Sequence, residues 1–280
     1  MSFKVIIPAR YNSTRLPGKP LLDVAGKTMI QRVYEATCLS DAEEVIVATD
    51  DQRIIDACKS FSAKYCMTAK THLSGTDRLE EVANAFKLKP DQIIVNVQGD
   101  EPLIDPALIN QVAKNLADNS WASVASLCET METSEAVFNS NNVKVVFNKV
   151  GEASYFSRAP IPWQRQYIEQ ESTLQSEFSL KQLSSSNKNS TSNNNSFTYK
   201  DNGIAPKSYY RHIGIYAYRT QFLHDFVSWT PSSAELLESL EQLRALENGS
   251  RIHMALACKK VATGVDTQQD LDEVRQLFSS

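Results

Sequence analysis

Three basic side chains, Arg10, Arg15 and Lys19, lie close together in the string Val5–Pro20, VIIPARYNSTRLPGKP. A polyphosphate needs several donors and charge neutralisation in one place, which guanidinium and ammonium groups supply together. Neither G-x-x-x-x-G-K-[ST] nor G-x-G-x-x-G is present, and on charge alone the stretch reads equally well as a solvated basic turn. Asp100 follows the apolar run Gln92–Gln98 and is the kind of hard carboxylate that can hold Mg²⁺ against phosphates. As a lone aspartate it reads better as the cap of the next helix, and the turn that Pro102 imposes makes Glu101 a poorer ligand. Asp266 competes with Thr267 for a cap position, and serves as a second metal carboxylate only if the chain brings it beside Asp100.

Arg158, in Tyr155–Trp163 (YFSRAPIPW), can fork onto the carboxylate of an acidic sugar; the plainer alternative is a surface ion pair, worth little. His212 and Tyr216 are spaced to share one face of a strand. Glu241 and Gln242 fall in an amphipathic stretch whose Leu236, Leu240, Leu243 and Leu246 make a core face, so they read first as solvated. No Ser/His/Asp set or H-E-x-x-H occurs, and the His and Cys spacing suggests no zinc site.

These residues must be placed by the elements around them. Lys4–Pro8, Glu44–Asp50, Lys64–Thr68, Gln92–Gln98 and Ala122–Cys128 read as strands. Helical spacing covers 29–37, 52–60, a helix entered at Thr76 as N-cap, and one from Pro106 to about Asp118. This alternation predicts a doubly wound, largely parallel α/β sheet, whose carboxyl edge is where such folds bind ligands. The pattern then changes. Short strands at 143–147 and 154–156, with Tyr209–Tyr218, predict an antiparallel subregion at one end of the sheet. Helices are predicted at 221–229 and 235–247, a late strand at 251–258 and a last helix at 267–278. Between them, the heart of 164–207 is SSSNKNSTSNNNS, which lacks apolar residues and is expected to be a disordered surface insert.

The chain has 280 residues, a net charge of −4 and ordinary hydrophobic and charged fractions of 42% and 22%. That balance argues against a general nucleic-acid binder, so any polyanion site must be a local pocket. No apolar run approaches the length that spans a bilayer, and no signal-peptide pattern opens the chain. Five scattered cysteines, with no C-x-x-C pair, suggest reduced, packed thiols in a cytoplasmic protein.

Taken together, the strings Ile6–Pro20, Val47–Asp50 (VATD), Ser74–Leu79 (SGTDRL), Val95–Pro102 (VNVQGDEP), Tyr155–Trp163, Arg211–Tyr218 (RHIGIYAY), Leu240–Arg244 (LEQLR) and Gly264–Thr267 (GVDT) resemble one family. That family is the 3-deoxy-manno-octulosonate (KDO) cytidylyltransferases, also called CMP-KDO synthetases. The resemblance runs from about residue 2 to 278, broken by the Asn/Ser insert. The first string is shared more loosely by relatives that activate sialic acids; RHIGIYAY and LEQLR point to the KDO branch.

The resemblance implies a Rossmann-like, nucleotide-diphospho-sugar transferase-like fold. It would be a single domain over 1–280, with a dimerisation and sugar-pocket subregion at 130–220 and an insert at 170–205. It implies a cytoplasmic homodimer that uses CTP, KDO and Mg²⁺ to make CMP-KDO and pyrophosphate for lipopolysaccharide biosynthesis, with no nucleic-acid or membrane partner. Arg10, Arg15 and Lys19 would hold the triphosphate, and Ala48, Ser74, Gly75, Arg78 and Gln98 would border the nucleotide. Asp100 and Asp266 would hold Mg²⁺ and, with Lys19, form the catalytic set. Arg158, His212, Tyr216, Glu241 and Gln242 would line the KDO pocket, with Gln98 touching it. Gln164, Gln268 and Asp77 depart from common family residues, off the implied sites. Another sugar acid as substrate, sialic or amino-substituted, and a non-catalytic nucleotide-sugar binder remain as alternatives.

Overall fold

The N-terminal apolar run forms β1 (Phe3–Ala9), whose alternating side chains serve two cores: Val5 and Ile7 face one layer of helices and Ile6 the other. The structure is a computed structural model and describes residues 1–12, 16–72, 74–165, 206–262 and 264–279. After a 3₁₀ turn at Lys19–Leu21 come a two-stranded ribbon, β2 (Asp23–Val24) and β3 (Lys27–Thr28), and α1 (Met29–Thr37). Then follow β4 (Glu44–Thr49), α2 (Gln52–Ser60), β5 (Lys64–Met67), α3 (Gly75–Ala85), β6 (Ile93–Asn96), α4 (Pro106–Asp118) and β7 (Val124–Thr130). The second half adds α5 (Ser134–Phe138), β8 (Lys144–Phe147), β9 (Ala153–Ser157) and β10 (Tyr210–Arg219). It ends with α6 (Thr220–Ser228), α7 (Ser233–Glu238), α8 (Gln242–Glu247), β11 (Ile252–Leu256) and α9 (Gln268–Ser279).

The main sheet has the order β11-β7-β10-β6-β1-β4-β5, with the β8–β9 hairpin attached to β10. β1 runs parallel to β4 and β6, β4 parallel to β5, and β7 parallel to β11. This is the expected Rossmann-like α/β fold with helices over both faces. One core packs Ile30, Val33, Leu108 and Val112 against one face, and the other packs Leu79, Val82, Leu223 and Leu243 against the opposite face. Covering both faces is what turns β4 and β6 into unbroken buried runs rather than alternating ones.

Three expectations are corrected. Tyr209–Tyr218 is not confined to a subregion at one end of the sheet. β10 lies in mid-sheet, antiparallel to both β6 and β7, and only its contact with β8, Arg211 opposite Lys144, leads into the hairpin. The helix expected over 235–247 is broken in two. Ser239 adopts left-handed φ 52°, ψ 49°, and the chain restarts as α8. Leu236 is therefore exposed instead of joining Leu240 and Leu243 in the core. Finally, α3 is capped by Ser74 rather than Thr76. The Ser74 hydroxyl accepts from Asp77 N and the Asp77 carboxylate accepts from Ser74 N, a reciprocal pair that satisfies two otherwise free helix-end donors. The Asn/Ser-rich insert at 170–205 lies outside the described residues.

Candidate active site

β1 ends beneath a loop that Gly18 makes possible. Its φ of 67° favours glycine, and a β-carbon there would press to 3.2 Å from the ring of Tyr11. Gly18 N donates to Tyr11 O at 3.1 Å and closes the loop, so Lys19 turns inward. The Lys19 ammonium lies 2.6 Å from Asp100 Oδ2 and 3.0 Å from Asp266 Oδ1, carboxylates 81 and 247 residues away in sequence. Burial by itself pushes the Lys19 ammonium down, but hydrogen bonds and charge from both aspartates outweigh it and hold its pKa above the ordinary lysine value.

Neither aspartate is spent as a cap. Asp105 caps α4, its Oδ1 accepting from Ala107 N at 2.8 Å, which overturns the cap reading of Asp100. Thr267 and Asp270 cap α9 between them: Asp270 Oδ2 accepts from Thr267 N at 2.7 Å, and Thr267 Oγ1 from Asp270 N at 3.2 Å. β11 is not a neighbour of β6. Asp266 reaches the centre because the segment after β11 returns across the carboxyl edge, where Val265 N donates to Asp100 O at 2.9 Å. Gly99 permits the turn below Asp100, because a β-carbon there would sit 2.8 Å from the Pro8 carbonyl oxygen.

The result is an open cleft of about 340 Å³ at the carboxyl edge, lined by Arg10, Asn12, Lys19, Gln98, Asp100 and Asp266 among others. Arg10 Nη2 donates to Ser74 O at 2.9 Å, tying the loop to the start of α3. Arg15 lies outside the described residues. The structure adds Asn12 and Gly99 to the cleft; a glycine directly after a buried strand is the sequence signal for Gly99, and Asn12 has none. Beside the cleft, burial and the charge of Asp100 push the Glu101 carboxyl up to about 7, against the pull of Arg211.

Two carboxylates around one cationic atom form a donor set of hard oxygens. Among the described residues no group of three or more His, Cys, Asp or Glu could hold a metal ion. The pair therefore fits an ion that takes its remaining ligands from water and substrate phosphates, as Mg²⁺ does, rather than a fully protein-built cage.

A second cluster lies on the other side of Ser74–Thr76. Thr76, Tyr216, Tyr218, Glu241 and Gln242 line a small hollow. Breaking the predicted helix places Glu241 and Gln242 at the head of α8, not on a solvated face. Burial pushes the Glu241 carboxyl up, while hydrogen bonds to the side chains of Thr76 and Ser74 pull it back. Gln242 Nε2 is buried and has no acceptor among the described residues. A bulge between Ile213 and Tyr216 brings the His212 ring to 5.2 Å from that of Tyr216, and Gln98 Nε2 donates to Gly214 O in that bulge at 3.4 Å. Gln98 thus lines the cleft and reaches the bulge that precedes Tyr216.

Residues 4–252 match the cytidylyltransferase family model CTP_transf_3. A protein of Saccharophagus degradans named 3-deoxy-manno-octulosonate cytidylyltransferase is 51% identical over 280 residues, with all of both chains covered. One of Alcanivorax borkumensis with the same name is 50% identical, covering 98% of each chain. The chain belongs to the 3-deoxy-manno-octulosonate cytidylyltransferase family. A solved structure of a CMP:2-keto-3-deoxy-manno-octonic acid synthetase complexed with CTP superposes with TM-score 0.79 at 38% identity, covering 100% of this chain and 99% of the other. A cytidylyltransferase from Leptospira borgpetersenii, at 15% identity and TM-score 0.58, shares the fold.

Within this family member, three residues expected at the ligands are wholly or partly engaged by the protein itself. Ala48 is fully buried in the core, so its side chain is not available to a nucleotide. Arg78 is fully buried: Nη1 donates to Thr68 Oγ1 and Nη2 to Asp50 Oδ2 at 2.9 Å, so it ties α3 to the ends of β4 and β5. Arg158 is not free. Nε donates to Glu238 O at 2.6 Å, Nη1 to Ser140 O at 3.0 Å and Nη2 to Ser239 O at 3.4 Å. That uses three of a guanidinium's five N–H donors and leaves two. Gly75 opens α3 with Pro8 Cγ 3.8 Å from where a β-carbon would stand, ordinary contact.

Arg78→Met is expected to lower stability by about 2 kcal/mol, below the cost of breaking a fully buried pair because Asp50 reaches solvent, and so to lower Tm by roughly 4–8 °C. A thermal melt checks this. An unchanged Tm with a raised KM for CTP would return Arg78 to the nucleotide site.

His212 is held neutral. Burial first, and the charge of Arg211 second, push its pKa down to about 3. Ser126 Oγ lies 3.0 and 2.9 Å from the carbonyl oxygens of Ile213 and Ile215 and 3.1 Å from His212 Nε2. With its single proton given to a carbonyl, Ser126 accepts from Nε2–H, which assigns the tautomer. The unfolded chain takes up a proton near the ordinary histidine pKa and the folded chain does not. The His212 contribution to stability is therefore lost as pH falls from about 6.5 toward 3. In an NMR titration the His212 ring signals should hold their position from about pH 8 to about 5, whereas a midpoint near 6.5 would contradict the buried neutral ring.

Proposed function

We propose that the chain joins KDO to the CMP part of CTP and releases pyrophosphate, with Mg²⁺ held by Asp100 and Asp266. The observation that carries this reading is the meeting of Lys19, Asp100 and Asp266 in one cleft with Arg10, within a chain of this family. The triphosphate lies along the Arg10–Lys19 loop, where the two cations and Asn12 take its oxygens. Gln98 sits between nucleotide and sugar acid. Tyr216, Glu241, Gln242 and neutral His212 meet the hydroxyl groups of KDO, and Arg158 turns its two remaining donors to the carboxylate.

In the reaction the 2-hydroxyl of KDO attacks the α-phosphorus of CTP in line, and pyrophosphate departs. Such a transfer depends on alignment and on neutralising charge at phosphate oxygens rather than on a side-chain nucleophile. When bound, Mg²⁺ supplies Lewis acidity at the α-phosphate and lowers the pKa of the attacking hydroxyl. Lys19 contributes a fixed positive charge, and the Gly99 turn keeps Asp100 directed into the cleft.

A homodimer belongs to the same proposal, supported by Tyr155, Trp163, Leu236 and Leu237, large apolar residues exposed near the hairpin and α7. So does a cytoplasmic location. Among the described residues no helix is long and apolar enough to cross a membrane. The five cysteines are free, but only Cys58 and Cys128 are packed as expected; Cys66 is half-buried and Cys38 and Cys258 are exposed. Pyrophosphate release measured across CTP and the other nucleotides, each with KDO, sialic acid and a neutral sugar, tests the reading. Release should require CTP with KDO. Faster turnover of sialic acid would move the chain to another sugar acid, and CTP binding without release would make it a binder.

A further inference from the structure

Lys144 opens β8 and is fully buried, a cation that the proposed reaction does not use. Among the described residues its ammonium makes no ion pair. It donates to Arg158 O at 2.6 Å, Asn142 O at 2.6 Å and Asn139 O at 3.0 Å, three main-chain carbonyls for its three N–H groups. A buried charge without a counter-ion in contact is costly, and burial pushes this ammonium down to about 8 while the charge of Glu238 partly supports it. Arg158 is held at its carbonyl by Lys144 and at its N–H by Glu238 Oε2 at 2.9 Å. Glu238 Oε1 also accepts from Ser157 Oγ at 2.6 Å.

The carbonyls that share the ammonium have a second link to Arg158. Asn139 and Asn142 bracket Ser140, whose carbonyl accepts from Arg158 Nη1. Lys144 therefore fixes both the main chain that carries the guanidinium and the loop on which one arm of the guanidinium rests. Ordinary strand pairing cannot do this, because β9 ends at Ser157 and Arg158 is the first residue beyond the ladder.

We propose that Lys144 is a positioning residue for the sugar acid: its ammonium clamps the Arg158 peptide and the 139–142 loop so that the guanidinium keeps two donors turned to the ligand's carboxylate. This rests on the assignment of Arg158 to that carboxylate. Lys144 itself touches no substrate.

The test is steady-state kinetics of the full chain and its Lys144→Met, Arg158→Ala and double variants, with KDO and CTP varied in turn. Lys144→Met is expected to raise the KM for KDO about tenfold and leave that for CTP within about twofold, as one lost charged hydrogen bond implies. The double variant should be no worse for KDO than Arg158→Ala alone, because Lys144 acts through Arg158. An unchanged KM for KDO in Lys144→Met, an equal rise for CTP, or multiplicative effects in the double variant would overturn the proposal. If Arg158→Ala leaves the KM for KDO unchanged, the assignment of Arg158 fails, and this role with it. Where Lys144→Met does not accumulate as folded protein, Lys144→Ala assayed with n-propylammonium or n-propanol replaces it. Recovery of the KM for KDO with the ammonium alone supports the clamp; recovery with both or neither overturns it.

Discussion

Asp100→Asn should lower kcat by about a hundredfold or more and leave the fold nearly as stable as before. The amide keeps the shape of the carboxylate but loses the charge that a hard divalent ion requires, and one lost transition-state charge contact is worth roughly 3 kcal/mol. Stability should change little, because the bond to Lys19 is partly solvated: the Asp100 side chain is 34% exposed and that of Asp266 is 60% exposed. A pair of that kind contributes at most about 1 kcal/mol, a Tm change of about 2–4 °C in a chain this long. Asp266→Asn should behave likewise. Full turnover by either variant at limiting Mg²⁺ would remove that residue from the site.

Arg158→Lys should raise the KM for KDO about a hundredfold with the KM for CTP little changed, a loss of about 3 kcal/mol in the range for breaking a desolvated charge contact. Lysine brings one nitrogen where the guanidinium spreads its donors over three carbonyls and keeps two for a ligand. It also loosens the elbow at Glu238–Ser239. The left-handed Ser239 there is unfavourable for a residue with a β-carbon, and the bonds from Arg158 to its carbonyl and to that of Glu238 offset this. Since α8 follows directly, Glu241 and Gln242 would move as well. A variant with unchanged KM for KDO would leave Arg158 a purely structural tie.

How much was legible in the sequence follows from how local each feature is. The strand and the turn that follows it were readable because the residues that shape them are adjacent in the chain: the apolar run makes β1, which continues through Pro8 to Ala9, and Gly18 turns the chain back. The parallel half of the sheet was readable for the same reason, each strand being followed by its own helix. What failed depends on distant partners. The strand character of Tyr210–Arg219 was plain, but its place between β6 and β7 is set by pairing with residues about a hundred positions earlier. The meeting of Asp100 with Asp266 depends on the return of the chain after β11, which no spacing encodes. The break at Ser239 was hidden because the leucines on both sides keep helical period; the opposing elements are Arg158 and the pair of Glu235 with Arg244, whose Nε donates to Glu235 Oε2 at 2.8 Å. Lys144 carried no signal at all, since one lysine at the head of a strand reads as solvated until its burial is known.

The most direct test of the account follows a mixture of the enzyme, CTP, KDO and Mg²⁺ by ³¹P NMR. Attack at the α-phosphorus predicts one new phosphodiester resonance, from CMP joined to the sugar acid, growing in step with pyrophosphate, and loss of both signals in Asp100→Asn. Formation of CDP with a sugar phosphate, or CTP consumed with no phosphodiester formed, would contradict the proposed chemistry of the cleft.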